Sequence, residues 1–190
     1  MKKIVCILGS PRTDGNSDTI AERLLATAES IGAQSEVFEL NKLNYKGCIA
    51  CMGCKTGSEN CVLNDDITAV IASVKEADVL VMTSPVYCWY INGQVKCLID
   101  RFYSLLKPDF MTNPAPSRLA PGKKCVFITT EGNPDPHSFD LMPDFTRLLS
   151  MFGFDVHTIR GIGLLEKTDA AKNADLMKQT EDVARQIMGK

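Results

Sequence analysis

Four of the eight cysteines of this 190-residue chain fall within fourteen residues, as Cys48-Ile49-Ala50-Cys51-Met52-Gly53-Cys54 and then Cys61. The spacing is C-x2-C-x2-C-x6-C. Thiolates this close, separated by small residues, let the backbone wrap a metal centre, and three cysteines at x2 intervals are similar to the cluster-binding run of bacterial ferredoxins. The ferredoxin run places its fourth cysteine at x3 before proline, whereas here it comes at x6 without one. Structural zinc with four thiolates and free thiols without a metal remain alternatives on spacing alone.

A second constellation is Gly9-Ser10-Pro11-Arg12-Thr13-Asp14-Gly15-Asn16-Ser17, which follows a short apolar run and precedes a helical pattern. A loop of this kind delivers unpaired N–H groups and the positive end of a helix dipole to one point, which suits an anion. Ser10, Asn16 and Ser17 add neutral donors and Arg12 a cationic fork, while Gly9 and Gly15 permit the turns. The nucleotide-binding P-loop is disfavoured because Asn16 stands where its lysine would be, so a monophosphate suits the loop better than ATP. The ordinary alternative is a Gly/Ser/Pro turn capped by Asn16 or Ser17. Cys6 and Arg12 also have the spacing of a cysteine-dependent phosphatase, but Cys6 lies inside the apolar run Ile4–Leu8 and is expected to be buried and inert.

The third constellation is Ser84-Pro85-Val86-Tyr87-Cys88-Trp89-Tyr90-Ile91-Asn92, with three aromatics where a loop should be polar. A flat aromatic ligand would explain them, and a subunit interface would explain Trp89 and Tyr90 equally well. Thr129-Thr130-Glu131-Gly132-Asn133 offers short polar groups and a glycine suited to close backbone approach to a ring edge. His137 follows that loop and reads as a solvated histidine, while Cys97 and Cys125 read as small buried hydrophobes.

The elements that must position these residues alternate between two periodicities. Lys3–Leu8, Gln34–Leu40, Val79–Thr83, Lys124–Thr130 and Asp155–Arg160 read as strands. Helical spacing is expected from about 16 to 32, 65 to 77, 93 to 106, 141 to 152 and 170 to 188. Right-handed crossovers then give a doubly wound parallel sheet with helices on both faces. A dinucleotide fold would want G-x-G-x-x-G after the first strand, which is missing, so the order 2-1-3-4-5 is preferred. In such a sheet ligands sit beyond the carboxyl ends of the strands, where the loops after strands one, three and four converge and the cysteine segment leaves strand two. The proline-rich stretch Lys107–Pro121 is too long for a simple connection and is expected to be an interface arm or lid.

Composition bounds the rest. An apolar fraction of 45% suits one domain over residues 1–190 with a cysteine-rich insertion at about 41–64, and a formal net charge of -2 gives no basic face for nucleic acid. The apolar run after Lys3 is too short for a signal peptide, and no run approaches a membrane span. Eight cysteines without a secretion signal point to reduced thiols in the cytoplasm.

The blocks Gly9-Ser10-Pro11-Arg12 with Gly15-Asn16-Ser17, then Ser84-Pro85-Val86-Tyr87 with Gln94-Val95-Lys96 and Ile99-Asp100-Arg101, resemble the NADPH-dependent FMN reductase superfamily of the flavodoxin-like fold. The cysteine motif resembles that of its iron-sulfur flavoprotein branch. The resemblance implies that Ser10, Arg12, Asn16 and Ser17 hold the FMN phosphate. It implies that Pro85, Val86, Tyr87, Cys88 and Trp89 line the isoalloxazine and that Thr130, Glu131 and Gly132 border its other side. It further implies a 4Fe-4S cluster on Cys48, Cys51, Cys54 and Cys61, with no side chain required as a catalytic acid or base. The implied activity is that of an FMN-dependent oxidoreductase taking electrons from ferredoxin or NAD(P)H to a small acceptor, as a homodimer or homotetramer. A cluster-free NAD(P)H-dependent FMN or quinone reductase, and a non-enzymatic flavodoxin-like electron carrier, are the alternatives. The Gln94–Arg101 segment is read as a packing helix in which Asp100 and Arg101 make local polar contacts.

Overall fold

A computed structural model describes residues 1–137 and 140–189. The chain runs β1 (Lys2–Leu8), α1 (Asn16–Ser30), β2 (Ala33–Glu39), a short α2 (Gly53–Thr56), α3 (Ile67–Glu76), β3 (Val79–Tyr87), β4 (Tyr90–Ile91), α4 (Gly93–Arg101), β5 (Lys124–Thr130), α5 (Met142–Met151), β6 (Asp155–Gly161), α6 (Asp169–Lys172) and α7 (Ala174–Met188). Five strands pair in parallel in the order β2-β1-β3-β5-β6. That is the predicted order, with the two-residue β4 added as an antiparallel partner of β3.

Alternate residues of each strand feed opposite faces. Val5, Ile7, Leu80, Met82 and Phe127 pack beneath α3, α4 and α5, while Ile4, Cys6, Val79, Val81, Val126 and Ile128 pack beneath α1 and α7. Because both faces are covered, the central strands read as continuous apolar runs. Among the described residues no helix is long and apolar enough to cross a membrane.

Three elements differ from expectation. Ser84–Asn92, expected as loop, instead extends β3 to Tyr87 and turns back through β4, with Cys88 and Trp89 as a two-residue connection at φ 48° and 60°. Positive φ at both central residues is what such a tight hairpin demands, and a Cys-Trp pair gives no sequence signal of it because Asn-Gly is the usual solution. The helix expected from 93 to 106 leaves α-geometry at Arg101 and tightens into a 3-10 turn over Phe102–Leu105. The closing helix is broken at Asn173, whose side chain accepts from Leu176 N at 3.0 Å and starts α7 anew.

The stretch 107–117 is an excursion closed at its neck. Lys107 N donates to Pro116 O at 2.8 Å and Arg118 N to Leu105 O at 2.7 Å.

Candidate functional site

The carboxyl ends of β1, β3 and β5 meet at one rim, as their parallel register requires. Gly9, just past β1, is fixed there by close packing. A Cβ at this position would sit 2.2 Å from Thr83 O and 2.2 Å from Val95 Cγ2, so only glycine lets the first loop pass. Gly9 N donates to Thr83 Oγ1 at 3.1 Å, and Asn92 Nδ2 donates to Gly9 O. Asn92 also receives the Ser84 hydroxyl at 3.3 Å and caps α4 by accepting from Val95 N at 3.3 Å. One buried asparagine therefore ties the loop after β1, the end of β3 and the start of α4 together.

Beyond that knot lies an open cavity of about 200 Å³ whose wall brings together Ser10, Arg12, Asn16, Ser17, Pro85, Val86, Tyr87, Thr130, Glu131 and Gly132. These come from three separate stretches of chain. Arg12 is exposed, while Ser17 and Thr130 are buried and share a hydrogen bond of 2.7 Å between their hydroxyls, joining two sides of the cavity. Ser10 Oγ accepts from Arg12 N at 3.1 Å and shapes the turn. Helix α1 begins with Gly15 as N-cap and no side-chain cap, so its first N–H groups depend on something other than a capping side chain.

Several sequence expectations change here. Cys88 and Trp89 stand at the tip of the hairpin, both exposed, and do not line the cavity, because the turn that reverses β3 carries them past the rim. Neither Asn16 nor Ser17 caps α1. The Asn16 amide donates to Leu164 O at 3.3 Å and Glu166 O at 2.9 Å and accepts from Ala170 N at 3.0 Å, so its side chain fastens the segment after β6. The loop residue with left-handed backbone is Asp14, at φ 51°, whereas Gly15 is extended. Glu131 is paired with Arg160, whose Nε donates to Oε1 at 2.6 Å, and so is held in place beside the cavity.

Leu164 and Leu165 also line the cavity and were not anticipated. Gly161-Ile162-Gly163 at the end of the fifth parallel strand was the available signal, since that loop opens on the same rim. The phosphatase alternative fails on burial: Cys6 is fully buried in the middle of β1, and desolvation pushes its thiol far above the usual range, leaving no thiolate to attack.

The cysteine segment follows β2 but does not stay at the rim. It runs along α4: Tyr45 donates its hydroxyl to Gln94 O at 2.9 Å, Gly47 lies against Cys97, and Cys61 reaches Arg101 at the far end of the helix. Cys48, Cys51, Cys54 and Cys61 line one narrow cavity of about 20 Å³, closed behind by Arg101, Tyr103 and Ser104. All four are free thiols. Ala50 and Met52, at φ 53° and 59°, turn the chain twice between them. Among the described residues no group of three or more His, Cys, Asp or Glu is gathered tightly enough to hold a single metal ion.

Three cations hold the segment. Arg101 is completely buried at its side chain and forms a two-pronged pair with Asp65, at 2.8 Å and 3.1 Å, which holds the Asp65 carboxyl below the usual range. Lys55 Nζ donates to Tyr103 O at 2.5 Å and Leu106 O at 2.6 Å, lying 4.0 Å from the Tyr103 ring centre. Arg118 Nη1 reaches Cys54 O at 3.4 Å and Ser104 O at 3.2 Å. Arg101 was expected only to make local contacts, and Lys55 and Arg118 were not singled out. A wider groove of about 620 Å³ adjoins the cysteines, with Cys48, Tyr90, Phe110, Phe145 and Met151 on its walls.

The family model described as NADPH-dependent FMN reductase matches residues 2–153. An iron-sulfur flavoprotein of Archaeoglobus fulgidus is 37% identical over 101 residues, covering 52% of this chain and 44% of the relative. An iron-sulfur flavoprotein of Methanocaldococcus jannaschii is 33% identical over 99 residues, covering 52% of this chain and 51% of the relative. The chain thus spans about half the length of these curated relatives. A solved FMN-dependent NADH-azoreductase of Bacillus anthracis, in complex with FMN, superposes with a TM-score of 0.69 over 98% of this chain and 99% of the other at 15% identity, a likeness of fold.

Proposed function

The chain belongs to the NADPH-dependent FMN reductase family, and from that premise we propose that it is an FMN-dependent oxidoreductase of the iron-sulfur flavoprotein kind. In this reading residues 1–190 form one FMN-binding domain with a cysteine-rich insertion at about 41–64. It passes electrons from ferredoxin or NAD(P)H to a small acceptor in the cytoplasm.

The observation that carries the proposal is the convergence of Ser10, Arg12, Ser17, Pro85, Tyr87, Thr130 and Gly132 on one rim cavity. Arg12 and the N–H groups opening α1 hold the phosphate, with the Ser10 and Ser17 hydroxyls beside them. Pro85, Val86 and Tyr87 form one wall for the flat ring and Thr130 to Gly132 the other. Glu131 is held on that side by its ion pair with Arg160. When bound, FMN supplies the chemistry of electron and hydride transfer, and a cluster supplies one-electron storage. The chain's own residues bind, orient and keep the ring against the rim.

The four thiols Cys48, Cys51, Cys54 and Cys61 suit a 4Fe-4S cluster by their chemistry in two respects, and their cavity of about 20 Å³ would open to receive it. A cluster takes one thiolate at each iron, so its ligands belong around a cage and need not converge on one point. Arg101, Lys55 and Arg118 surround an anionic centre with positive charge. The alternative is a cluster-free NAD(P)H-dependent FMN or quinone reductase, which the uncondensed thiols also suit. Assembly as a homodimer or homotetramer is supported by the exposure of Trp89 at 70% and Met111 at 82%, and by the wide apolar groove lined by their chain neighbours Tyr90 and Phe110.

An anaerobic absorbance spectrum with an iron determination tests the proposal. Flavin bands plus a broad iron-sulfur shoulder are expected; flavin alone, with no bound iron, leaves the cluster-free reading, and no bound flavin overturns both. Cys51→Ser is expected to remove iron and retain FMN. Arg12→Ala is expected to weaken FMN binding by about 10- to 100-fold, the worth of a charge-assisted hydrogen bond, and wild-type affinity would refute the phosphate assignment.

A further inference from the structure

We propose that Arg101 is a positioning residue for the cysteine centre: clamped by Asp65, it donates from Nε to the Cys61 sulfur and sets how readily a cluster held there is reduced. The inference rests on the cluster reading above and adds a role for a residue outside the ligand set.

Among the described residues Arg101 has the largest fully buried side chain. A buried guanidinium cannot shed its proton and must find acceptors for its donors. Nη1 takes Lys46 O at 2.9 Å and Asp65 Oδ2 at 2.8 Å, and Nη2 takes Leu63 O at 3.2 Å and Asp65 Oδ1 at 3.1 Å. Those four bonds already hold the segment and neutralise the charge. The remaining donor, Nε, is aimed at Cys61 Sγ at 3.0 Å. Among the four cysteines, Cys48 receives only the backbone N–H of Ala50, at 3.4 Å, so Cys61 is the one with a charged donor on its sulfur.

A cluster gains negative charge on reduction and spreads part of it onto its thiolates. A cationic N–H fixed against one thiolate stabilises the reduced form more than the oxidised form, and the buried setting weakens screening by water. The planar bond to Asp65 fixes the guanidinium's orientation, so the contribution does not depend on a mobile side chain. The opposite end of α4 is tied to the rim through Asn92, which leaves the flavin side anchored independently of Arg101.

Full-length protein purified anaerobically as wild type, Arg101→Gln and Arg101→Lys tests this. Iron and FMN per chain are measured, and the cluster midpoint potential is followed by EPR during titration with dithionite. Both variants are expected to keep FMN. Arg101→Gln is expected to shift the one-electron reduction equilibrium at least tenfold toward the oxidised cluster, about 59 mV, with a smaller shift in the same direction for Arg101→Lys. Unchanged potentials in variants with intact clusters overturn the proposal.

If both variants fail to fold or to hold iron, wild type labelled with 15N at arginine alone decides. Pulsed EPR of its reduced cluster should show a 15N coupling, and its absence overturns the proposal. Wild type that holds no iron after reconstitution with iron and sulfide is a separate result: it removes the cluster reading itself and this inference with it.

Discussion

The rim cavity and the cysteine cavity sit at opposite ends of α4 and are built in different ways. At the rim, strand ends and a helix start place the groups. The polar side chains there pair mostly with one another or with nearby backbone, as Ser17 does with Thr130 and Asn92 with Gly9 and Ser84. Around the cysteines there is almost no regular structure, only the four-residue α2, and the chain is held by three cations that collect carbonyl oxygens and one carboxylate. A sheet edge is held by many small terms, so losing one hydroxyl there does little. A loop strung on three cations concentrates its stability in a few residues.

The contrast breaks most readily at Gly9. Gly9→Ala is expected to cost about 3 kcal/mol, at the upper end for forced overpacking, because besides the Val95 methyl it meets the Thr83 carbonyl of a central strand, which cannot yield as a side-chain tip can. Urea unfolding measures the loss, and FMN retention should fall with it. Hydrogen exchange over residues 48–61 should stay as in wild type. Normal stability and FMN content in Gly9→Ala would mean that the rim is not set by backbone packing.

Lys55→Met is the matching test at the other end. It removes two charged hydrogen bonds to Tyr103 O and Leu106 O, and because Lys55 keeps some contact with water the expected cost is about 1–2 kcal/mol. Exchange should rise over 48–61 and 102–107 and stay unchanged over 10–17. Equal changes in both regions would show that the two cavities behave as one unit.

The same contrast separates what could be read in the sequence from what could not. Strand periodicity and crossover handedness predict the parallel order, and the rule that ligands sit beyond the carboxyl ends brings Ser10, Arg12, Pro85, Tyr87 and Thr130 to one place without side-chain detail. The place of Trp89 at a hairpin tip could not be read, because a positive-φ turn made of Cys88 and Trp89 has no propensity signature. The contacts of Asn16 with Leu164, Glu166 and Ala170 lie about 150 positions away, beyond any local pattern. The cysteine spacing announces itself, but its descent along α4 rests on Arg101, Lys55 and Arg118. Their partners are mostly backbone carbonyls, which every residue has, and so no sequence pattern marks them.

Asp18 gives the smallest and most diagnostic effect. It is a carboxylate in the first turn of α1, 6% exposed, at the rim end of that helix. Its Oδ1 has no hydrogen-bond partner. Burial, with Glu22 and Glu39 adding like charge, pushes it up to about 6, against the opposing pull of the Gly15 and Asp14 backbone N–H groups. An unfolded aspartate titrates near about 3.9. Between those values the folded chain holds a proton that the unfolded chain has lost, so stability falls as pH rises through the window and the full penalty is present above it. Asp18→Asn keeps an acceptor for the backbone N–H groups and removes the charge. It is expected to stabilise the protein by about 1 kcal/mol at pH 7.5, allowing for partial access of water, and to change nothing at pH 4. Urea unfolding at both pH values checks it. A gain of equal size at the two pH values would assign the effect to packing, and the carboxylate would then be satisfied in the folded state like the charges around the cysteines.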